Sequence, residues 1–226
     1  LGPIGSAMAR HVVERYGMEL VGGVDTDPAK TGRDIGDVAG LETPLGIPVM
    51  QNITQVLEKT PVDVVLHATA SFFDMFEDQI CAILREGLDV VSSAEELSFP
   101  WLAHPEAAAR IDTAARRAGK TVLGTGVNPG FLMDTLPLHL TALCQRVDRI
   151  DVTRRMNASM RRGPFQAKIG AGMTVEDFTT QMKKGRMGHV GLPESMGMVF
   201  HTVGKTLVRY ESHVEPLVAD HPIRTD

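Results

Sequence analysis

The chain is poor in cysteine and in aromatic residues: of 226 residues, two are cysteines and 5% are aromatic, with one tryptophan. Cys81 and Cys144 stand far apart, without C-x-x-C spacing or histidines at ligand intervals, which excludes a disulfide scaffold or a zinc ribbon, and no metal site is expected. Both fall in apolar runs, so buried thiols in a reducing, cytoplasmic compartment are the expectation. No apolar stretch reaches the roughly 18 residues that cross a bilayer, and no signal-peptide pattern is visible. The net charge of −5, with no basic stripe, argues against nucleic acid or an anionic membrane as the main partner. What the chain does hold, 43% hydrophobic and 23% charged residues, is ordinary for a globular protein.

The first residues, Leu1-Gly2-Pro3-Ile4-Gly5-Ser6, read as the end of a G-x-G-x-x-G nucleotide fingerprint running straight into a helix. Gly2 lets the backbone approach a pyrophosphate, Gly5 lets the helix pack on its strand, and the helix start offers unpaired N–H groups, so Gly2, Pro3, Ile4 and Gly5 are candidate cofactor contacts. The first glycine and its strand are expected before Leu1. A short apolar run, 18–24, then ends in Asp25, 20 positions after Gly5, the offset at which a carboxylate meets the adenosine ribose. Such a carboxylate favours NAD over NADP. Asp25 in Asp-Thr-Asp-Pro is also good turn chemistry, and Lys30 and Arg33 leave room for a 2′-phosphate.

Strand-like and helix-like segments alternate through the first 150 residues, the pattern of a doubly wound parallel sheet. The fold class expected is therefore α/β: a Rossmann-like domain over residues 1–140, lacking its first strand, and a second, α+β substrate and dimerisation domain over residues 141–226, expected to be incomplete. In that second part Arg149–Met156 alternates polar and apolar as a half-solvated strand would, a helix is capped by Thr174, and another runs from Ser195.

Candidate chemistry gathers where strands end. After the run Val64–His67, Ala68, Thr69 and Ser71 would line the nicotinamide-ribose side of the crevice, or merely cap the next helix. His67 within that run reads as a satisfied core histidine. The next edge carries Glu95-Glu96 in a segment that also holds Phe99 and Trp101; an apolar setting would raise a carboxyl pKa toward general-base use, while two first-turn acids complementing a helix dipole need no chemistry. The stretch 124–134 contains Asn128-Pro129-Gly130-Phe131, a tight turn that can present Asn128 to the nicotinamide while Phe131 walls the pocket. Arg161-Arg162 belongs to a basic, Gly-rich loop, a substrate lid, a phosphate contact or a solvated surface, and His189 is a candidate substrate-facing donor.

Taken together, the fingerprint remnant, Ser93-Ala94-Glu95-Glu96-Leu97, Gly124–Asp134 and Gly188-His189-Val190-Gly191-Leu192-Pro193-Glu194-Ser195 resemble the 2,4-diaminopentanoate dehydrogenase and native amine dehydrogenase family, whose N-terminal domain is similar to that of dihydrodipicolinate reductase. The resemblance implies NAD(P)-dependent oxidative deamination of a small amine or diamino acid to a carbonyl and ammonia, or the reverse reductive amination, in a homodimer. It also implies that one of Glu95 and Glu96 acts near the substrate nitrogen, with Glu95 favoured. Dihydrodipicolinate reductases carry a His-His-x-x-Lys segment and a nearby Ser-Gly-Thr; neither occurs here. That reductase activity is one alternative, and a non-catalytic dinucleotide sensor is another.

Overall fold

The structure is a computed structural model that describes residues 1–159, 163–184 and 187–221. It opens with helix α1, Pro3–Glu14, entered through Gly2 as N-cap with proline in its first turn, where the missing N–H costs nothing. Then come β1 (Gly23–Val24), α2 (Ile35–Ala39), β2 (Val49–Met50), α3 (Ile53–Leu57), β3 (Val64–His67), α4 (Phe73–Arg85) and β4 (Asp89–Ser92). A 3₁₀ turn over Glu95–Leu97 leads to α5 (Pro105–Ala118), β5 (Val122–Gly124) and α6 (Thr135–Thr141). The rest holds α7 (Gly163–Lys168), α8 (Val175–Lys183) and α9 (Leu192–Thr202).

The strands form two parallel sheets, β1 beside β2, and β3-β4-β5 in that order with Leu66 opposite Val91 and Val91 opposite Leu123. Parallel neighbours joined by helices are the α/β architecture that alternation foretold. One face of the larger sheet is covered by α4 and α5: Phe76, Ile80, Leu84, Val90 and Ile111 form the main core, with the Phe73 and Phe76 rings 4.7 Å apart. On the other face Leu66 and Leu123 remain 42% and 51% exposed. A smaller core of Ala9, Ile35, Ala39 and Val49 joins α1 and α2 to the β1-β2 pair.

Four expectations are corrected. The run 18–24 is a ladder only at Gly23–Val24, because β1 pairs with β2 alone and pairing defines a strand. Residues 149–156 form no strand: among the described residues no neighbour offers backbone partners, and Arg149 spends its guanidinium on Asp151 two positions on. Cys144 is exposed, as is its neighbour Leu143 at 88%; Cys81 is partly buried, which raises its thiol pKa. Trp101 is half exposed and dries no carboxylate. Thr174, by contrast, caps α8 as foreseen, accepting the N–H of Asp177. Arg161 and Arg162 lie outside the described residues. Among the described residues no helix is long and apolar enough to cross a membrane.

Candidate functional site

The nucleotide end is built by α1 and β1. Gly2 brings no side-chain cap and the first turn of α1 contains no acid, so the N–H groups of this twelve-residue helix are left for an external anion. A Cβ on Gly2 would meet open space, not protein. Asp25 follows β1 directly, at the carboxyl end of that strand. Its carboxylate accepts from Lys30 Nζ at 2.8 Å and from Asp27 N at 2.9 Å. Burial works to raise its pKa, but the hydrogen bonds from Lys30 and the Asp27 amide lower it, and the carboxyl is held well below the usual carboxylate range.

The carboxyl edge of β3, β4 and β5 gathers the remaining candidates. His67 is buried with Nδ1 2.8 Å from Ser92 Oγ and Nε2 2.8 Å from Thr69 Oγ1; burial, above all, lowers its pKa. Thr69 is thus engaged with His67, while Ala68 and Ser71 line the exit of β3, where the carbonyl of Ser71 accepts from Glu96 N.

The structure separates the two glutamates. Glu96 Oε2 accepts the N–H of Phe73 at 2.7 Å, capping α4, and stands 3.1 Å from His104 Nε2, whose ring stacks on Phe73 at 5.0 Å. The Glu95 carboxylate has no hydrogen-bond or ion-pair partner among the described residues. The turn that carries both lies against β5 only because position 124 is glycine: a Cβ there would come 2.2 Å from the carbonyl oxygen of Leu97.

Beyond β5 the Asn128–Pro129 peptide bond is cis and the turn closes on α9. Asn128 Nδ2 donates to His189 Nε2 at 2.9 Å, and its Oδ1 is buried without a hydrogen-bond partner. Gly191, at φ +100°, packs onto Pro129 and Glu95; a Cβ there would lie 2.4 Å from Pro129 Cδ and 3.3 Å from Glu95 Cβ. Glu95, Asn128 and His189 are therefore brought to one place, whereas Phe131 is half exposed three residues beyond Asn128.

Residues given no role on sequence grounds, Asp134, Ser195 and Glu194, support this place. Asp134 is fully buried and accepts from Gly130 N, Thr135 N and Ser195 Oγ. Glu194, 4% exposed, has its pKa raised by burial first and by the Glu96 charge, against His104. Only Asp134 carried a usable signal, an aspartate immediately before a helix. Among the described residues no group of three or more His, Cys, Asp or Glu side chains is gathered for a metal ion.

Comparison with known proteins fits this layout. Residues 1–93 match the family described as dihydrodipicolinate reductase, N-terminus, and residues 131–226 match the 2,4-diaminopentanoate dehydrogenase C-terminal domain. The 2,4-diaminopentanoate dehydrogenase of Acetoanaerobium sticklandii is 36% identical over 97% of this chain and 63% of its own length. The chain is similar to a 2,4-diaminopentanoate dehydrogenase along nearly all of its own length. An amine dehydrogenase of Streptomyces virginiae is 29% identical over 76% of this chain and 48% of its own length. The solved amine dehydrogenase of Mycobacterium smegmatis superposes with a TM-score of 0.75 at 25% identity, over 92% of this chain and 61% of that one. The chain thus spans about half to two thirds of the length of these diaminopentanoate and amine dehydrogenases.

Proposed function

We propose that this chain is the dinucleotide-binding and substrate-facing part of an NAD(P)-dependent amine dehydrogenase, an oxidoreductase acting on CH–NH₂ groups. It would deaminate a small amine or diamino acid and, in reverse, aminate a ketone or aldehyde with ammonia. The observation that carries the reading is the Glu95 carboxylate, without a partner among the described residues, near a strand's carboxyl edge and against Gly191, which joins it to the turn of the Asn128–His189 pair.

The residues fit a dinucleotide: an uncapped helix start at Gly2, with Pro3, Ile4 and Gly5 in its first turn, a ribose-reach carboxylate at Asp25, and an unused buried acceptor on Asn128. When bound, the nicotinamide supplies the two-electron acceptor for the amine carbon. Glu95 takes the proton of the substrate ammonium, because only the free amine can be oxidised, and releases it to solvent; the carboxylate so restored steadies the iminium by its charge. The same carboxylate accepts a proton from the water that adds to the iminium carbon and gives it to the amino group, which leaves as ammonia while the new hydroxyl loses its proton and becomes the carbonyl. Glu96 stays with Phe73 and His104 and supports the turn. His189, held by Asn128, faces the substrate, and Phe131 forms the outer wall.

Asp25 repels a 2′-phosphate, which favours NAD, while Lys30 beside it makes NADP tolerable. A nucleotide domain over residues 1–140 and a substrate and dimerisation domain over residues 141–226 belong to this reading; separate family matches to residues 1–93 and 131–226 support a two-part chain. The exposed Leu143, Val208 and Leu217 are apolar surface that a homodimer would cover, and the enzyme would work in the cytoplasm.

The test is NADH and NADPH oxidation by the full-length enzyme with a panel of ketones and aldehydes in concentrated ammonia, beside tetrahydrodipicolinate reduction. Turnover on a carbonyl with ammonia supports the reading. Reduction of tetrahydrodipicolinate alone would move the chain to the reductase class, and tight NADH binding without turnover on any carbonyl would make it a sensor.

A further inference from the structure

We infer that Asp134 and Ser195 form a positioning latch: their buried hydrogen bond holds the Asn128 turn and the His189 loop in register, and so holds Glu95 at the reacting centre. The inference rests on the amine dehydrogenase reading for its catalytic consequence, but its geometry stands independently.

Asp134 does more than begin a helix. Capping α6 takes one bond, Thr135 N to Oδ1, and α6 is a seven-residue helix with no buried residue of its own. Complete burial of a carboxylate for that purpose alone would be costly, since its lone pairs must be matched. Oδ2 instead accepts two further bonds, from Gly130 N at 2.8 Å and from Ser195 Oγ at 2.7 Å. One belongs to the turn two residues after Asn128. The other belongs to the first turn of α9, whose Ser195 N–H bonds back to the carbonyl of Gly191.

The latch therefore grips both partners of the site contact from behind. Gly130 follows Pro129, on which Gly191 is seated, and Gly191 follows His189 by two residues while touching Glu95. Asn128 and His189 meet at 2.9 Å at the rim of this assembly. Their contact is short and exposed to water, so it cannot align two segments 61 residues apart by itself; the buried Asp134–Ser195 bond, spanning the same separation, can. Displacements of about 1 Å at a reacting centre lower turnover by around a hundredfold.

Full-length wild type, Ser195→Ala, Asp134→Asn and the double variant test the latch. In reductive amination of whichever carbonyl the wild type uses, Ser195→Ala should lower kcat at least tenfold and raise the carbonyl KM, with NADH affinity within twofold of wild type. Because both side chains serve one contact, the double variant should be no slower than the slower single variant. The His189 imidazole resonances should shift in Ser195→Ala. Wild-type kcat and KM in Ser195→Ala, or losses that multiply in the double variant, would overturn the latch. Should the wild type aminate no carbonyl, the functional reading fails and the His189 resonances decide the latch: a shift supports it and unchanged resonances refute it.

Discussion

Glu96 accepts the amide N–H of Phe73 at 2.7 Å, so one of two adjacent glutamates caps a helix and the other is left for chemistry. Glu95→Gln should lower kcat by about 10²–10⁴-fold, the usual worth of a positioned general base, with NADH binding retained. Glu96→Gln should cost about 1 kcal/mol of stability through the weakened α4 cap and leave kcat within a few-fold. Steady-state kinetics beside thermal melts separates the two. Equal catalytic losses would remove the distinction.

Glu194 is held protonated beyond the ordinary carboxyl range by burial and by Glu96, with His104 opposing. A carboxyl whose folded pKa is raised stabilises the fold fully below its unfolded value, and that contribution is lost as pH rises through the folded value. The melting temperature should therefore fall with rising pH above the ordinary glutamate range, and Glu194→Gln should flatten that slope. A wild-type slope persisting in Glu194→Gln would assign it elsewhere.

Gly191→Ala should be more damaging than Gly188→Ala. Both glycines have positive φ, at +100° and +87°, but a Cβ at 191 strikes Pro129 whereas one at 188 meets open space. The shared backbone strain costs about 1–2 kcal/mol; the clash should add a further ~1–3 kcal/mol and lower kcat by pushing α9 from Glu95. Equal melting temperatures for the two variants would show that the loop simply yields.

Asp25→Ser removes the charge that opposes a 2′-phosphate while leaving Lys30 in place. The ratio of kcat/KM for NADPH over NADH should rise at least tenfold. An unchanged ratio would place the ribose away from Asp25.

Much of the fold was legible because it is local. Helix and strand periods are short-range signals, and the alternation read through the first 150 residues is present as helices and parallel strands. The period-two run at 149–156 misled because alternation reports which side chains prefer water, while a strand exists only where another strand meets its backbone. The pairing at 18–24 shrank for the same reason.

By itself the sequence determined the α/β alternation, the nucleotide-type turn at Gly2–Gly5, the acid at position 25 and the segments that carry the family resemblance, all of them properties of residues near one another along the chain. Only the tertiary structure decided which glutamate is free, that His67 consumes Thr69, and that Asp134 meets Ser195. Hydrogen bonds across 61 residues depend on the path of everything between them. A buried carboxylate's role is set by whichever donors that path delivers, and no spacing in the sequence records them.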